Sequence, residues 1–252
     1  MTETLPLTRR LALALGKRTP VRPVRSRLTR AIASVCFDDV PRSATIAGAK
    51  LLECGGFRGS YYVCGAHAGG VFEGTRQHTL ADLRRLKRAG HEVASHTFAH
   101  QDATLSTPAE WLADHQANEA FLAEALDGER PTTFAYPYGS TSLRSKMFYS
   151  RRFLACRGVS TGLNAGLIDL AELRAAPIER RRFDLGRIRD LVAKAADRKG
   201  WLIFYTHDVA ADPSAYGCRP NDLAATLESL TDAGIEVLPV RDAAHRVLAD
   251  GA

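Results

Sequence analysis

The sequence has no hydrophobic run long enough to cross a membrane and no cysteine pattern typical of a disulfide framework. A stretch of about 18 apolar residues, the least a membrane-spanning helix needs, is absent. The five cysteines are odd in number and show no C-x-x-C spacing, so we expect reduced thiols, as in a cytosolic protein. Neither G-x-G-x-x-G nor G-x-x-x-x-G-K-[ST] follows a predicted strand, which disfavours the nucleotide-binding folds.

The net charge of +6 is concentrated at the N-terminus. Residues 1–30 contain eight basic residues and one acidic residue, whereas the remainder contains 26 basic and 27 acidic residues. We therefore predict a basic N-terminal extension over residues 1–30 and a single catalytic domain over residues 31–252. Leu11, Leu13 and Leu15 would form a short helix or dock on that domain.

This extension also bears on location and partners. Its apolar stretch is too short for a secretory signal and is followed at once by Gly16-Lys17-Arg18, so we expect a cytoplasmic protein. A basic amphipathic segment suits an anionic surface, so weak peripheral contact with the inner membrane face is a second expectation. A nucleic-acid role is disfavoured, because the rest of the chain is close to neutral and no aromatic residues are interleaved with the basic ones.

From residue 31 onward, short β-rich runs alternate with helical patterns. The predicted strands are Ala31–Phe37, Ser60–Cys64, Glu92–Ser95, Thr132–Tyr136, Phe153–Val159, Leu202–Thr206 and Ile235–Leu238. Helices are predicted over about 44–53, 80–89, 107–126, 184–199 and 222–233. Seven strand–helix units are typical of a parallel sheet with right-handed crossovers. Their number in about 220 residues favours an α/β barrel, closed or nearly closed, over an open doubly wound sheet.

Reactive side chains follow four of these strands, at the end where such barrels carry their active sites. They are Asp38 and Asp39, His96 and His100, the turn Pro137-Tyr138-Gly139, and His207. Two imidazoles four residues apart and one carboxylate can hold a metal and leave positions open for water and substrate. Each group alone also fits a structural role: capping acids, solvated histidines, a plain loop, or a hydrogen-bonded rim histidine. Other histidines, His67, His78 and His91, fit a surface position better, although His67 could reach the substrate.

These residues, in this order, resemble the motifs of the polysaccharide deacetylase family, also called NodB-homology or carbohydrate esterase family 4 enzymes. Phe37-Asp38-Asp39 resembles the first motif, with Cys36 in place of Thr. Ser95–His100 resembles the second, Phe134–Gly139 the third, and Ile203–His207 the last. The resemblance covers roughly residues 31–240 and implies a distorted (β/α)7 barrel in one domain, which is related to the TIM barrel.

The resemblance also implies roles for individual residues. Asp38 would be the general base, Asp39, His96 and His100 the metal ligands, and His207 the general acid. Tyr138 would offer its backbone N–H to the oxyanion. Pro137, Tyr136 and Tyr216 are candidates to line the substrate pocket. Tyr136 also fits packing within its strand, and Tyr216, in the loop after the His207 strand, fits a purely structural loop equally well.

Two departures from the family pattern concern the groups around the base and the acid. The third motif often carries an arginine that braces the base, and Ala135 stands at that place, as in deacetylases of biofilm-type glucosamine polymers. The fourth motif, an Asp-rich segment ending in Trp, has no clear counterpart between residues 156 and 200. Arg157, Asp169 and Asp184 are the candidates to substitute.

The sequence therefore predicts a metal-dependent hydrolase that removes the acetyl group from an N-acetylated sugar. Zinc is the expected metal, with cobalt, nickel or iron as alternatives. The expected substrate is an intracellular intermediate of surface-polysaccharide biosynthesis. Two alternatives stay open: hydrolysis of a non-sugar amide or imide, and a carbohydrate-binding pseudoenzyme without activity.

Overall fold

The computed structural model describes Ala14, Gly16 and residues 18–250, and its centre is a curled, half-barrel sheet of parallel strands. The strands of the chain are β1 (Pro23–Arg25), β2 (Ile32–Asp38), β3 (Ser60–Val63), β4 (Val71–Phe72), β5 (Thr75–Arg76), β6 (Glu92–Ser95), β7 (Thr133–Ala135), β8 (Ala155–Arg157), β9 (Leu167–Asp169), β10 (Ala176–Pro177), β11 (Trp201–Thr206) and β12 (Glu236–Val237). The order in the sheet is β10-β11-β2-β3-β6-β7-β8, and β12 pairs with the first half of β2. All seven predicted strands are present, each within two residues of its predicted bounds.

A short segment after β9 brings the two ends of this series together. The Leu173 N–H donates to the Cys156 carbonyl at 2.8 Å and the Gly158 N–H donates to the Leu173 carbonyl at 3.0 Å. A few residues later, β10 pairs with β11 in parallel. The prediction of an α/β barrel in a single domain is thereby confirmed, and β10 is the strand of the main sheet that the sequence did not predict. Strands β1, β4, β5 and β9, which pair outside that sheet, were not predicted either.

Helices pack around the sheet. They are α1 (Ala49–Cys54), α2 (Leu80–Arg88), α3 (Pro108–Ala125), α4 (Leu143–Ser150), α5 (Leu185–Arg198), α6 (Pro220–Asp232) and α7 (Val240–Ala249), and a π-helical stretch over Ala44–Gly48 precedes α1. The predicted capping box of α3 is present: the Glu110 N–H donates to the Thr107 hydroxyl at 3.3 Å and the Thr107 N–H to the Glu110 carboxylate at 2.7 Å. Such caps satisfy N–H groups that the first helical turn leaves without partners.

Helix α4 was not predicted, because its buried side chains are mostly polar and form no apolar stripe. Lys146 of α4 is 1% exposed and its ammonium lies 2.7 Å from Asp169 and 3.2 Å from Glu172. The same ammonium donates to the carbonyls of Gly16 and Thr19. The N-terminal segment is thus bound to the domain through a buried cation.

Further contacts hold residues 18–25 against the domain. Strand β1 pairs antiparallel with β9, and the Arg22 guanidinium donates to the carbonyls of Phe153 and Leu154. Leu11, Leu13 and Leu15 lie outside the described residues, and the boundary at residue 30 stays a prediction. Among the residues that the structure describes, no helix combines the length and the apolar character that crossing a bilayer requires.

The alternation of β2 determines where the reactive side chains point. Ala33, Val35 and Phe37 pack in an apolar cluster that includes side chains of α2 and α6. Ile32 and Cys36 pack in the second cluster, with Tyr62 and Tyr205. Because side chains alternate along a strand, Asp38 falls on the same face as Ile32 and Cys36, at the carboxyl end of β2. His78 and His91, expected at the surface, are buried.

Candidate metal centre and active site

The side chains of Asp39, His96 and His100 converge beyond the carboxyl ends of β2 and β6. The Asp39 Oδ1 atom lies 3.4 Å from His100 Nε2 and 3.7 Å from His96 Nε2. All three ligand atoms lie within 4.8 Å of one another. Two ligands at about 2.1 Å from a tetrahedral metal are about 3.4 Å apart, so the spacing suits a single metal ion.

The protonation of the three groups also suits a metal. The His96 ring donates from Nδ1 to the Ala135 carbonyl at 2.8 Å, which leaves the lone pair of Nε2 directed at Asp39. Burial lowers the pKa of His96, and burial together with the neighbouring His96 lowers the pKa of His100 to about 4. Burial alone would raise the pKa of Asp39, but the surrounding imidazoles outweigh it and the pKa lies below its usual value. Two neutral imidazoles and an ionised carboxylate are therefore present near neutral pH.

A second set of potential ligands shares Asp39 and includes Cys64 and His67. The Cys64 thiol lies 3.1 Å from the His96 carbonyl and is fully buried. Burial raises the pKa of Cys64 well above its usual value, and a thiol binds metals as the thiolate. The Asp39–His96–His100 set is therefore the better metal site.

Asp38 is buried beside the guanidinium of Arg157. The Arg157 Nη2 atom donates to Asp38 Oδ1, and its Nη1 atom donates to the Gly158 carbonyl at 3.0 Å. The guanidinium also lies 4.9 Å from the ring centroid of Tyr62 and 5.1 Å from that of Tyr205. Arg157 thus holds Asp38 in a fixed orientation at the floor of the site.

The register of the sheet explains why Arg157 occupies this place. Residue 157 of β8 pairs directly with Ala135 of β7, so the arginine enters from the neighbouring strand at the same level of the barrel. The other two residues considered as substitutes for the fourth motif, Asp169 and Asp184, have other partners. Asp169 accepts from the backbone N–H groups of Val21 and Arg22, and Asp184 caps α5 by accepting from the Arg187 N–H.

His207 follows β11 and faces the metal ligands from the other side. Its Nδ1 atom lies 3.2 Å from the Tyr216 carbonyl, which can only accept, so this nitrogen carries the proton. Its Nε2 atom lies 3.8 Å from Asp39 Oδ2. The carbonyl contact therefore orients the ring so that Nε2 is directed into the cavity.

The turn Pro137-Tyr138-Gly139 follows β7 and lies over His100. Tyr138 is 63% exposed, and its ring centroid is 4.4 Å from that of His100. Its φ of 58° is left-handed, which changes the direction of its backbone N–H relative to an extended strand. Whether that N–H binds an oxyanion stays a prediction.

Left-handed backbone is concentrated in this region. Five of the non-glycine residues with positive φ belong to or adjoin the four motifs: Asp39, Val40, Thr97, His100 and Tyr138. Such conformations cost about 1–3 kcal/mol each and are common at functional sites. Their presence in three separate loops is independent support for a site here.

One cavity of about 240 Å³ is lined by the proposed base, metal ligands and acid, which are Asp38, Asp39, His96, His100 and His207. Tyr136, Tyr138 and Tyr216 also line it, and Pro137 lies buried in the adjoining turn. Tyr136 is 1% exposed and its hydroxyl donates to the Ala171 carbonyl, so it forms part of the wall. A role in substrate binding stays a prediction for Pro137, Tyr136 and Tyr216.

The cavity also includes charged residues that sequence reasoning missed. They are Glu73, in the turn between β4 and β5, and Glu179, Arg181 and Arg182, which follow β10. The run of three arginines at 180–182 was a visible signal. Without knowledge of β10, however, nothing indicated that this run begins at the carboxyl end of a barrel strand.

Comparison with known proteins agrees with the motifs and the geometry. The family model described as polysaccharide deacetylase matches residues 26–151. Chitin deacetylase from Colletotrichum lindemuthianum is 25% identical over 138 residues, which cover 55% of this chain and 50% of the relative. Chitin deacetylase from a Pestalotiopsis species is 28% identical over 109 residues, 43% of this chain and 35% of the relative. This chain thus spans half or less of the length of these curated relatives.

Solved structures show the same fold. The Colletotrichum lindemuthianum chitin deacetylase structure aligns with a TM-score of 0.61 at 17% identity and covers 89% of this chain and 90% of that one. The Xyl-CE4 domain of a xylanase from the hindgut metagenome of Trinervitermes trinervoides gives a TM-score of 0.60 at 18% identity, covering 85% and 89%. Since the family model matches half of the sequence and includes Asp38, Asp39, His96 and His100, the chain belongs to the polysaccharide deacetylase family.

Proposed function

We propose that this protein is a metal-dependent deacetylase that hydrolyses the acetamide of an N-acetylated sugar. The observation that carries the proposal is the common cavity in which Asp39, His96 and His100 face a braced Asp38 and an oriented His207. Membership of a family whose matched relatives are named chitin and peptidoglycan-N-acetylglucosamine deacetylases supports the substrate class.

In this proposal Asp39, His96 and His100 hold one divalent metal ion. Nitrogen and oxygen ligands of this kind suit zinc, and cobalt, nickel and iron also bind them. When bound, such a metal polarises a carbonyl and makes a water molecule more acidic. The neutral imidazoles and the ionised carboxylate are ready to bind without first losing protons.

The chain's own residues then perform the proton transfers. Asp38, fixed by Arg157, accepts a proton from the water whose oxygen forms the new bond to the acetyl carbon. The Tyr138 N–H stabilises the negative charge that develops on the acetyl oxygen. His207, in its doubly protonated form with the Nδ1–H held by the Tyr216 carbonyl, donates its Nε2 proton to the sugar nitrogen as the carbon–nitrogen bond breaks. Acetate and the free amino sugar are the products.

Acetate release from N-acetylglucosamine oligomers tests the proposal directly. We expect release by the zinc-loaded protein and a loss of about 10²–10⁴-fold in kcat for Asp38→Asn or His207→Ala, as for removal of a general base or acid. His96→Ala should lose the metal as well, which elemental analysis measures. Exposed His245→Ala is the matched control and should retain both metal and activity.

Two outcomes would contradict the proposal in different ways. Sugar binding without acetate release at full metal loading would favour a binding protein. Turnover of small cyclic imides without turnover of acetylated sugars would favour an amide hydrolase of another class.

We further propose a cytoplasmic reaction on an intermediate of surface-polysaccharide biosynthesis. The unpaired state of all five cysteines, four of them buried, supports a reducing compartment. The basic residues before residue 31 suit an anionic membrane surface. Cosedimentation with vesicles of anionic lipid, compared for the full chain and for a chain with Arg25, Arg27 and Arg30 changed to Gln, tests the membrane contact. Equal sedimentation of both would show that these three arginines make no contact with the membrane.

A further inference from the structure

One wall of the cavity contains two arginines, Arg181 and Arg182, that have no role in the deacetylation mechanism proposed above. Glu179, Arg181 and Arg182 follow β10 and line the same cavity as the metal ligands. The segment is held in place, because the Ile178 N–H donates to the Tyr205 carbonyl and the Arg180 N–H to the Gly217 carbonyl. These side chains therefore belong to a fixed part of the site.

The two arginines share a single carboxylate. Glu179 is 2% exposed, and its Oε2 atom accepts a hydrogen bond from Arg181 Nε at 2.8 Å. The Arg181 guanidinium also lies 4.1 Å from the ring centroid of Tyr216. Arg182 reaches Glu179 only through Nε at 3.9 Å, and its side chain is 54% exposed. Within the described part of the chain, this distant contact is the one ion pair that Arg182 makes.

The other charges of the cavity have partners or lie elsewhere. Arg157 offsets Asp38, and a divalent ion on the three ligands would offset Asp39. Glu73 also lines the cavity, but among the described residues it forms no ion pair with Arg181 or Arg182. Glu179 is therefore the one carboxylate paired with these two guanidinium groups in the described part of the chain, and it lies closer to Arg181 than to Arg182.

We propose that Arg182 binds an oxyanion carried by the N-acetylated sugar or by its immediate neighbour, with Arg181 and Glu179 holding the wall in place. A guanidinium recognises the oxygens of phosphoryl and carboxylate groups through paired hydrogen bonds. A cavity of about 240 Å³ is below the range of about 300–1,000 Å³ usual for drug-sized ligands, so the anion lies close to the reacting sugar. This inference rests on the deacetylase function proposed above.

The experiment compares three substrates with the zinc-loaded full chain. They are the methyl glycoside of N-acetylglucosamine, which is neutral, N-acetylglucosamine 1-phosphate, and a disaccharide of N-acetylglucosamine and glucuronic acid. For Arg182→Gln we expect kcat/KM to fall by at least about 10-fold on one of the anionic substrates, as for loss of a charge-assisted hydrogen bond. The neutral glycoside should be affected less than about 2-fold. Which anionic substrate responds distinguishes a phosphoryl group from a carboxylate.

Arg180→Gln is the matched control. Arg180 lies in the same segment, but its guanidinium is bound to Asp212 and the Pro213 carbonyl and does not line the cavity. This variant should treat all three substrates as the wild type does. An equal effect of Arg182→Gln on charged and neutral substrates would overturn the inference.

A binding measurement separates this inference from the proposed function. Calorimetric titration of the zinc-loaded Asp38→Asn chain with the two anionic sugars needs no turnover. Weaker binding of at least one sugar on adding Arg182→Gln supports the anion site, and unchanged binding of both contradicts it. If none of the three substrates yields acetate with the metal-loaded wild type, the deacetylase function fails whatever the titration shows.

Discussion

At the scale of single residues, Arg157 orients Asp38 and compensates its buried charge. Both side chains are buried, with Arg157 0% and Asp38 3% exposed. A buried ion pair contributes little net stability, yet removing one partner leaves a charge without compensation in a medium of low polarity. The same contact fixes the carboxylate proposed to act as the base.

We expect Arg157→Met to lower the free energy of unfolding by about 3–5 kcal/mol and to reduce kcat. The double variant Arg157→Met/Asp38→Asn should recover much of that stability, because no buried charge remains. Urea unfolding of the two single variants and the double variant measures the coupling. A loss below about 1 kcal/mol for Arg157→Met would show that water or another cation compensates Asp38.

The metal ligands predict a specific pH dependence of metal retention. A proton on His100 competes with the metal, and the pKa of His100 is lowered to about 4 by burial and by His96. The imidazole therefore stays neutral well below the usual value of about 6.5. Asp39, whose pKa is also lowered, stays ionised over the same range.

Zinc should consequently be retained at pH 5.5 and released as the pH approaches 4. Elemental analysis after gel filtration in buffers between pH 7.5 and 3.5 measures this directly. Release centred near pH 6.5 would mean that the imidazoles are solvated and not held in the buried geometry.

At the scale of elements, the turn after β7 depends on one glycine. Gly139 has a φ of 60°, and a Cβ atom there would lie 2.1 Å from Val159 Cγ2. The turn and the segment that follows β8 thus pack too closely for any side chain at this position. A shift of the turn would move the Tyr138 N–H.

We expect Gly139→Ala to reduce kcat by about 10-fold or more, as for loss of a well-placed oxyanion donor, with KM much less affected. Gly128→Ala is the matched control, since Gly128 also has a positive φ of 85° but no atom lies within 4 Å of its would-be Cβ. That control should lose only about 1 kcal/mol of stability and no activity. Equal kinetics for both variants would argue against a role for this turn.

At the scale of the whole molecule, buried neutral histidines link stability to pH. The His78 Nδ1 atom donates to the Val40 carbonyl at 3.0 Å, and Nε2 is buried without a hydrogen-bond partner among the described residues. Burial lowers the pKa of His78. The unfolded chain, with a histidine pKa of about 6.5, therefore binds a proton that the folded chain excludes.

The free energy of unfolding should accordingly be independent of His78 above about pH 6.5 and fall as the pH drops from there toward the lowered pKa. Urea unfolding of the metal-free chain at pH 7.5 and 5.5 measures the fall. His78→Asn should show a smaller difference between the two pH values than the wild type, and the exposed His245→Asn should show the wild-type difference. A wild-type difference in His78→Asn would assign the effect to other groups.

Local sequence patterns alone determined where many of the strands and helices of this protein lie. The strands ending at Asp38, at Ser95 and at Thr206 were predictable from their short apolar runs, and the capping box at Thr107 marked the start of α3. Because parallel strands end at one rim, the sequence also indicated that Asp39, His96 and His100 would meet. These features depend on residues that are close together in the chain, so periodicity and motif spacing are sufficient to predict them.

Only the tertiary structure decided which distant groups complete the site. Arg157 faces Asp38 because β8 pairs with β7 in a register that no single strand's sequence specifies. Arg181 and Arg182 reach the cavity because a two-residue strand, too short to leave a period, pairs with β11. Lys146 is buried because two acids from another segment compensate its charge. In each case the stabilising partner lies far away in the chain, so the contact exists only once the barrel has formed.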